Sequence, residues 1–343
     1  MSERLERLWY PEAEEGFWRQ TALAPLAAAS LVFRAALGAR NALYERGVLA
    51  ARRVEGARVV SVGNLNVGGA GKTPAVIHLA NLALAQKLRV AVLSRGYGRV
   101  EKEAQVVGPH SNAASVGDEP LLIARRCPGA VVWVGADRWA LAQRAREEHG
   151  AQLLLLDDGL QHRRLARDAD VVVIDETVGF GNGRLMPRGP LREPVEALKR
   201  ASLVWLKVAE GSAAVLPELS VPVVRAVHRP SVLIDPQGQE HSPKILEGRR
   251  VLALVGLARP TSFVRTLKRL GARLAAVRAF GDHHVFTPAE LAEARTVAHA
   301  DGAEVVTTEK DWMRLPRDFP AWVVRLDVEV VSGADALMQL LAL

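Results

Sequence analysis

Cysteine is nearly absent from this chain. Cys127 stands alone among 343 residues, so no intramolecular disulfide can form, and the usage fits a reducing compartment. Aromatic residues are scarce at 5%, and no RNA-recognition, zinc-finger or similar signature is visible, so nucleic acid is not an expected partner. A secretory signal is also missing: the opening "MSERLERLWYPEAEEGFW" is charged and of mixed sign. No apolar run is long enough to cross a bilayer. The uncharged stretch "TALAPLAAASLVF" (Thr21–Phe33) has thirteen residues, against the ~20 that a spanning helix needs. Two readings of it stand side by side. One is a buried helix packed on the domain. The other is a helix lying in a lipid headgroup layer, flanked by Trp9, Tyr10, Phe17 and Trp18 upstream and by six Arg against two Glu in residues 34–58.

What the chain does have is apolar mass and positive charge. Hydrophobic residues make up 49%, enough for a large core and more than one domain. The formal net charge of +7 favours an anionic partner. From Val59 onward, apolar strands alternate with helical segments: "RVVSVG", "RVAVLS", "AVVWVG", "AQLLLLDDG", "ADVVVIDE" and "ASLVWLKVA". These are continuous apolar runs, the mark of strands buried on both faces. The fold class is therefore α/β, a P-loop NTPase-like, mostly parallel sheet flanked by helices. The alternation lapses in a Pro-rich stretch around Pro217–Pro236 and resumes with "RRVLALVG". Two units are expected: residues 1–228 and a smaller α/β unit of residues 229–343 that closes over the site. The last helix, "DALMQLLAL", is free to pack on either.

The run "GNLNVGGAGKTP" between the first strand and its helix reads as a phosphate cradle. Gly68, Gly69, Ala70 and Gly71 offer backbone N–H groups. Lys72 reaches the terminal phosphates, Thr73 offers a hydroxyl to Mg²⁺, and Pro74 sits in the first helical turn, where a missing N–H costs little. The strict pattern asks for Gly where Asn66 stands. "LLLLDDG" ends a strand in Asp157 and Asp158, which at the carboxyl edge of a parallel sheet face the ligand crevice and can hold Mg²⁺. The loop 179–194, "GFGNGRLMPRGPLREP", is long enough to be functional.

The ordered set "GNLNVGGAGKTP", "LSRGYGR", "GDEP", "DDGLQH", "FGNGRLMPRGPLREP", "GDHH" and "TEKD" resembles the tetraacyldisaccharide 4′-kinase family across nearly the whole chain. Asn66 is then a family trait, since that family commonly carries Thr there. The resemblance implies ATP- and Mg²⁺-dependent phosphorylation of the 4′-hydroxyl of a lipid A disaccharide 1-phosphate. It implies a monomeric peripheral protein at the cytoplasmic face of the inner membrane. Asp118 of "GDEP" and His283 of "GDHH" match the family's catalytic pair, and Glu119 would join the Mg²⁺ shell. Arg95, Tyr97, Arg138, Gln161, His162 and Arg192 would meet the phosphates or the disaccharide. No role follows for "TEKD" (Thr308–Asp311). The residues alone leave other readings open: Asp118 as a helix cap, "HH" as a surface turn or part of a zinc site. At the level of function the rivals are a soluble P-loop ATPase or kinase for a polar small molecule, and a nucleotide-binding switch.

Overall fold

The computed structural model describes residues 3–11, 16, 21–108, 110–212 and 220–342. Phe17 and Trp18 lie outside the described residues. Thirteen strands form one sheet: β1 Arg58–Gly63, β2 Val90–Ser94, β3 Gln105–Val106, β4 Val131–Val134, β5 Leu153–Asp157, β6 Ala169–Asp175, β7 Leu203–Val208, β8 Val223–Ile234, β9 Glu240–His241, β10 Arg250–Val255, β11 Arg273–Ala279, β12 Glu304–Thr308 and β13 Trp322–Ser332. Their spatial order is 11-10-12-13-8-7-6-1-5-2-4-3, with β9 paired to β8 outside that path. All pairs are parallel except β3–β4, β8–β9 and β8–β13.

The continuous apolar runs are buried on both faces. Val60, Val62, Val92, Leu153, Leu155 and Val171 point into one core, capped by the helices Lys72–Ala85, Asp118–Arg126 and Ala334–Leu341. The alternate residues Val59, Leu93, Leu154 and Leu156 point into another, under the helix Arg138–His149. A side-chain period of two thus splits each strand between two layers.

The Pro-rich lapse hides β8, at twelve residues the longest strand described. Pro230 is tolerated because β8 bulges there: Arg325 pairs with Val232 and Leu326 with Pro230, leaving Ser231 over. β8 pairs with β7 on one side and with β13 on the other, so the sheet runs unbroken through both halves of the chain. The expected boundary at 228/229 falls inside β8. The C-terminal helix Ala334–Leu341 returns to the first half, where Leu337, Leu340 and Leu341 join the core that holds Val60.

Near the N-terminus the helix Ala24–Glu45 buries Ser30 and Leu37 and leaves Leu31 and Val32 67% and 70% exposed. Among the described residues no helix is long and apolar enough to cross a membrane. Trp9 and Tyr10, lipid-facing flanks in one of the two readings of this segment, turn inward. The Trp9 indole donates to the Pro187 carbonyl at 3.1 Å, and the Tyr10 ring lies 4.8 Å under the Arg259 guanidinium.

Candidate active site

The Gly-rich loop expected to cradle phosphate joins the first strand to a helix. β1 ends at Gly63, and the next helix begins at Lys72 with Gly71 as its N-cap in the left-handed region (φ 87°). A Cβ at Gly71 would meet the His228 ring at 2.9 Å, so both φ and space demand glycine. Gly68 is also left-handed, at φ 102°. Gly69 is exposed, Ala70 and Thr73 are buried, and Pro74 is third in the helix, where N–H groups have no helical partner. Asn66, in place of the consensus Gly, donates its amide to the Gly179 carbonyl at 2.9 Å and bridges to Leu191. The cradle is thereby stitched to the 179–194 loop, which also receives Val67 N–H at the Pro190 carbonyl.

Asn64 is the hub that sequence reasoning missed. Its side-chain oxygen accepts from Lys72 Nζ at 3.1 Å and from Arg192, and its backbone carbonyl accepts from Gln161 at 3.2 Å. The signal available was its place at the strand-to-loop junction. Arg192 forks onto Asp158 at 2.8 and 2.9 Å, and Lys72 lies 3.4 Å from the same carboxylate. Burial opposes ionisation of Asp158, but Lys72 and Arg192 outweigh it and hold the carboxyl well below its usual range. Arg192 is therefore committed to the cradle rather than pointing free at a substrate.

Asp157 has the opposite environment. It is buried; Ser94 donates to its Oδ2 at 3.0 Å, while Oδ1 has no hydrogen-bond partner. Burial, then the charges of Glu119 and Asp158, push its pKa up to about 7. An orphaned carboxylate oxygen crowded by two like charges is suited to a cation. Among the described residues no group of three or more His, Cys, Asp or Glu forms a ready cation site. Mg²⁺ needs none, since it takes one or two carboxylates and completes its shell with water and phosphate. The residues present therefore fit Mg²⁺.

Asp118 and His283, 165 positions apart in sequence, meet: His283 Nδ1 lies 3.0 Å from both Asp118 oxygens. Gly117, at φ 93° and so placed that a Cβ would come within 3.2 Å of Gly96, turns the chain into the helix Asp118–Arg126. Asp118 is the first residue of that helix, whose N-cap is Gly117, and it accepts from Glu119 N–H at 2.9 Å as well as reaching His283. Burial raises the Asp118 carboxyl, but the His283 hydrogen bond and the charges of Lys310 and Arg314 prevail and hold it below the ordinary value. His283 is moved the other way: burial lowers it, the bond to Asp118 outweighs that, and it ends above the usual imidazole value. Arg314 Nε, 3.3 Å from Asp118, is a second residue that sequence reasoning missed; its geometry is that of an ion pair without a hydrogen bond. His283 and Asp158 are both non-glycine residues with positive φ (60° and 50°), a strain that accumulates at functional positions.

Around this pair, the exposed Tyr97 places its ring 5.3 Å from the His283 ring, and Arg95 is exposed beside it. Arg138 is buried with an unpartnered Nε, near Asp157, Asp158 and Arg95. His162 is driven to about 4 by burial and then by the Arg138 charge, so its imidazole is neutral at pH 7. Gln161 spans Asn64 and the buried Glu193. His284 pairs with Glu290 at 2.9 Å and stacks on Phe280, away from Asp118.

The family model described as "Tetraacyldisaccharide-1-P 4'-kinase" matches residues 21–343. The chain is 48% identical to a tetraacyldisaccharide 4'-kinase of Anaeromyxobacter dehalogenans strain 2CP-C, over 98% of this chain and 94% of that one. It is 40% identical to the protein of that name from Syntrophus aciditrophicus, over 91% and 89%. Among solved structures it is similar to the "apo" form of LpxK from Aquifex aeolicus in complex with ATP, with a TM-score of 0.77 and 29% identity, over 94% of this chain and 99% of that one.

Proposed function

The chain belongs to the tetraacyldisaccharide-1-P 4'-kinase family, a family of kinases, and from that premise we propose that it moves the γ-phosphoryl group of ATP onto the 4′-hydroxyl of tetraacyldisaccharide 1-phosphate. The observation that carries this reading is the 3.0 Å contact of His283 with Asp118 beside a complete phosphate cradle. The backbone N–H groups of residues 68–73 bind the β- and γ-phosphates, and Lys72, held by Asn64 and Asp158, supplies a positive charge to them. The Asp118–His283 pair draws the proton from the 4′-hydroxyl. The freed oxygen attacks the γ-phosphorus, and the bond to the β-phosphate oxygen breaks, releasing ADP. Thr73, Asp157 and Glu119 would hold Mg²⁺, which when bound neutralises phosphate charge; Asp158 keeps Lys72 and Arg192 in place.

On the acceptor side, Arg138 and Arg95 offer guanidinium groups to a substrate phosphate, and Tyr97, Gln161 and His162 line the sugar path. The two units, 1–228 and 229–343, contribute one partner each to the Asp118–His283 pair, with the substrate between them. A substrate with four acyl chains stays in a bilayer. The protein therefore works at the cytoplasmic face of the inner membrane, with the apolar face at Leu31 and Val32 in the headgroup layer and Arg34 and Arg46 on anionic lipid.

The test is transfer of label from γ-labelled ATP to a tetraacyldisaccharide 1-phosphate. Wild type should label the lipid, and Lys72→Ala and Asp118→Ala should each lower transfer by about 10²-fold or more. ATP turnover indifferent to the lipid would replace this reading with a kinase or ATPase for a polar substrate.

A further inference from the structure

Lys310 lies in the segment Thr308–Asp311, to which the reaction above gives no role. Its ammonium group meets three acceptors: Glu119 Oε1 at 3.0 Å, Asp282 Oδ1 at 3.1 Å and His283 Nε2 at 3.3 Å. An ammonium carries three hydrogens and no lone pair, so these contacts use it fully and make Nε2 of His283 an acceptor. A neutral imidazole that accepts at Nε2 carries its hydrogen at Nδ1. That nitrogen faces both Asp118 oxygens.

A competing arrangement is close at hand. Asp282 Oδ2 lies 3.6 Å from the same Nε2. Without Lys310, two carboxylates would flank the ring, and Asp282 would draw a hydrogen onto Nε2. Lys310 opposes this with its charge and by donating to Nε2, which keeps that lone pair free of a hydrogen until the 4′-hydroxyl takes the place of the ammonium and delivers its proton there. Tyr97 also neighbours the ring, at 5.3 Å between centroids and tilted by 54°, and Arg314 stands by Asp118.

The same short helix, Glu309–Trp312, grips both ends of the Asp118–Arg126 helix. Lys310 holds Glu119 at its start, and Glu309 accepts from Arg126 at 2.6 Å at its end. The buried Asp311 anchors the grip from below by accepting from Gly256 N–H at 3.0 Å.

We propose that Lys310 is a positioning residue for the phosphoryl transfer: it selects the Nδ1–H tautomer of His283 and ties the Asp282–His283 turn to the helix that carries Asp118. The proposal rests on the Asp118–His283 reading of the reaction. A simple salt bridge in this place would add stability without choosing a tautomer, and the two roles separate in experiment.

The measurement is the ¹⁵N spectrum of histidine-labelled full-length protein, with His283 assigned through His283→Gln, together with steady-state kinetics. Wild type should show a protonated, pyrrole-type Nδ1 and a pyridine-type Nε2 at His283. In Lys310→Met, Nε2 should instead become a protonated, pyrrole-type nitrogen. Its kcat should fall about 10²-fold, with KM for ATP and for the lipid within about threefold, and Lys310→Arg should recover about tenfold of the loss. A wild-type spectrum with the hydrogen on Nε2, or a Lys310→Met protein with unchanged spectrum and kcat, overturns the proposal. If Lys310→Met does not fold, the wild-type spectrum and the Lys310→Arg kinetics still decide it. Asp118→Ala and His283→Gln belong in the same assay. Retained turnover in those two removes the reading of the pair itself, whereas their inactivity beside a fully active Lys310→Met removes only the role of Lys310.

Discussion

Neighbouring carboxylates in this molecule have opposite fates, and the cause is local. Asp157 and Asp158 are adjacent, yet burial beside like charge pushes the first to about 7, while Lys72 and Arg192 hold the second low. Asp175, at the end of β6, is a third case. Burial would raise it, but Lys207 at 2.8 Å and two bonds from Thr177 pull it below the ordinary value. A depressed carboxyl contributes stability above its unfolded pKa of about 3.9, and that contribution is lost as pH falls through the folded value. Asp175→Asn is accordingly expected to cost about 1–3 kcal/mol at pH 7. The gap to wild type should close below about pH 4, as read by urea denaturation at each pH. A gap that is constant down to pH 3 would contradict the ion-pair account.

At the scale of the element, the long helix Ala24–Glu45 is mostly unburied. It buries two residues and turns Leu31 and Val32 to the outside. Deleting it wholesale would also break the bonds that the Ser30 hydroxyl makes to the Leu185 carbonyl and from Arg188 N–H, so point changes test its surface more cleanly. Leu31→Glu with Val32→Glu should reduce co-sedimentation with anionic vesicles by about tenfold or more, since both apolar contacts are replaced by like-charge repulsion. The melting temperature should stay within a few degrees of wild type, because neither side chain is packed. Undiminished vesicle binding would contradict a lipid-facing role for this helix.

At the scale of the whole molecule, the two halves are interleaved rather than placed end to end. β13 leaves the second half, runs antiparallel along β8 and delivers the helix Ala334–Leu341 to the core under the phosphate cradle. Removing residues 334–343 should therefore damage the first half, although the cut lies in the second. Loss of three buried leucines corresponds to about 4–8 kcal/mol as an upper estimate. Hydrogen exchange should show the loss of protection in Lys72–Ala85 and β1 first, with β10 and β12 less affected. Protection lost only in residues 250–310 would mean that the helix belongs energetically to its own half.

The sequence by itself determined most of the elements and the cradle, because each is a local pattern. Unbroken apolar runs specify doubly buried strands, and the Gly-rich turn before Lys72 and Thr73 specifies a loop that enters a helix N-terminus. β8 was illegible because Pro222 and Pro230 read as loop until the bulge opposite Leu326 is seen. β13 shows an alternation, "VVRLDVEVV", that makes sense only once a partner strand exists. Only the tertiary structure decided which of two adjacent aspartates keeps an unpartnered oxygen and that Trp9 faces inward. It also decided that Lys310 touches His283. Those outcomes depend on charges and surfaces brought together from positions far apart in sequence, and no short stretch of chain encodes such a meeting.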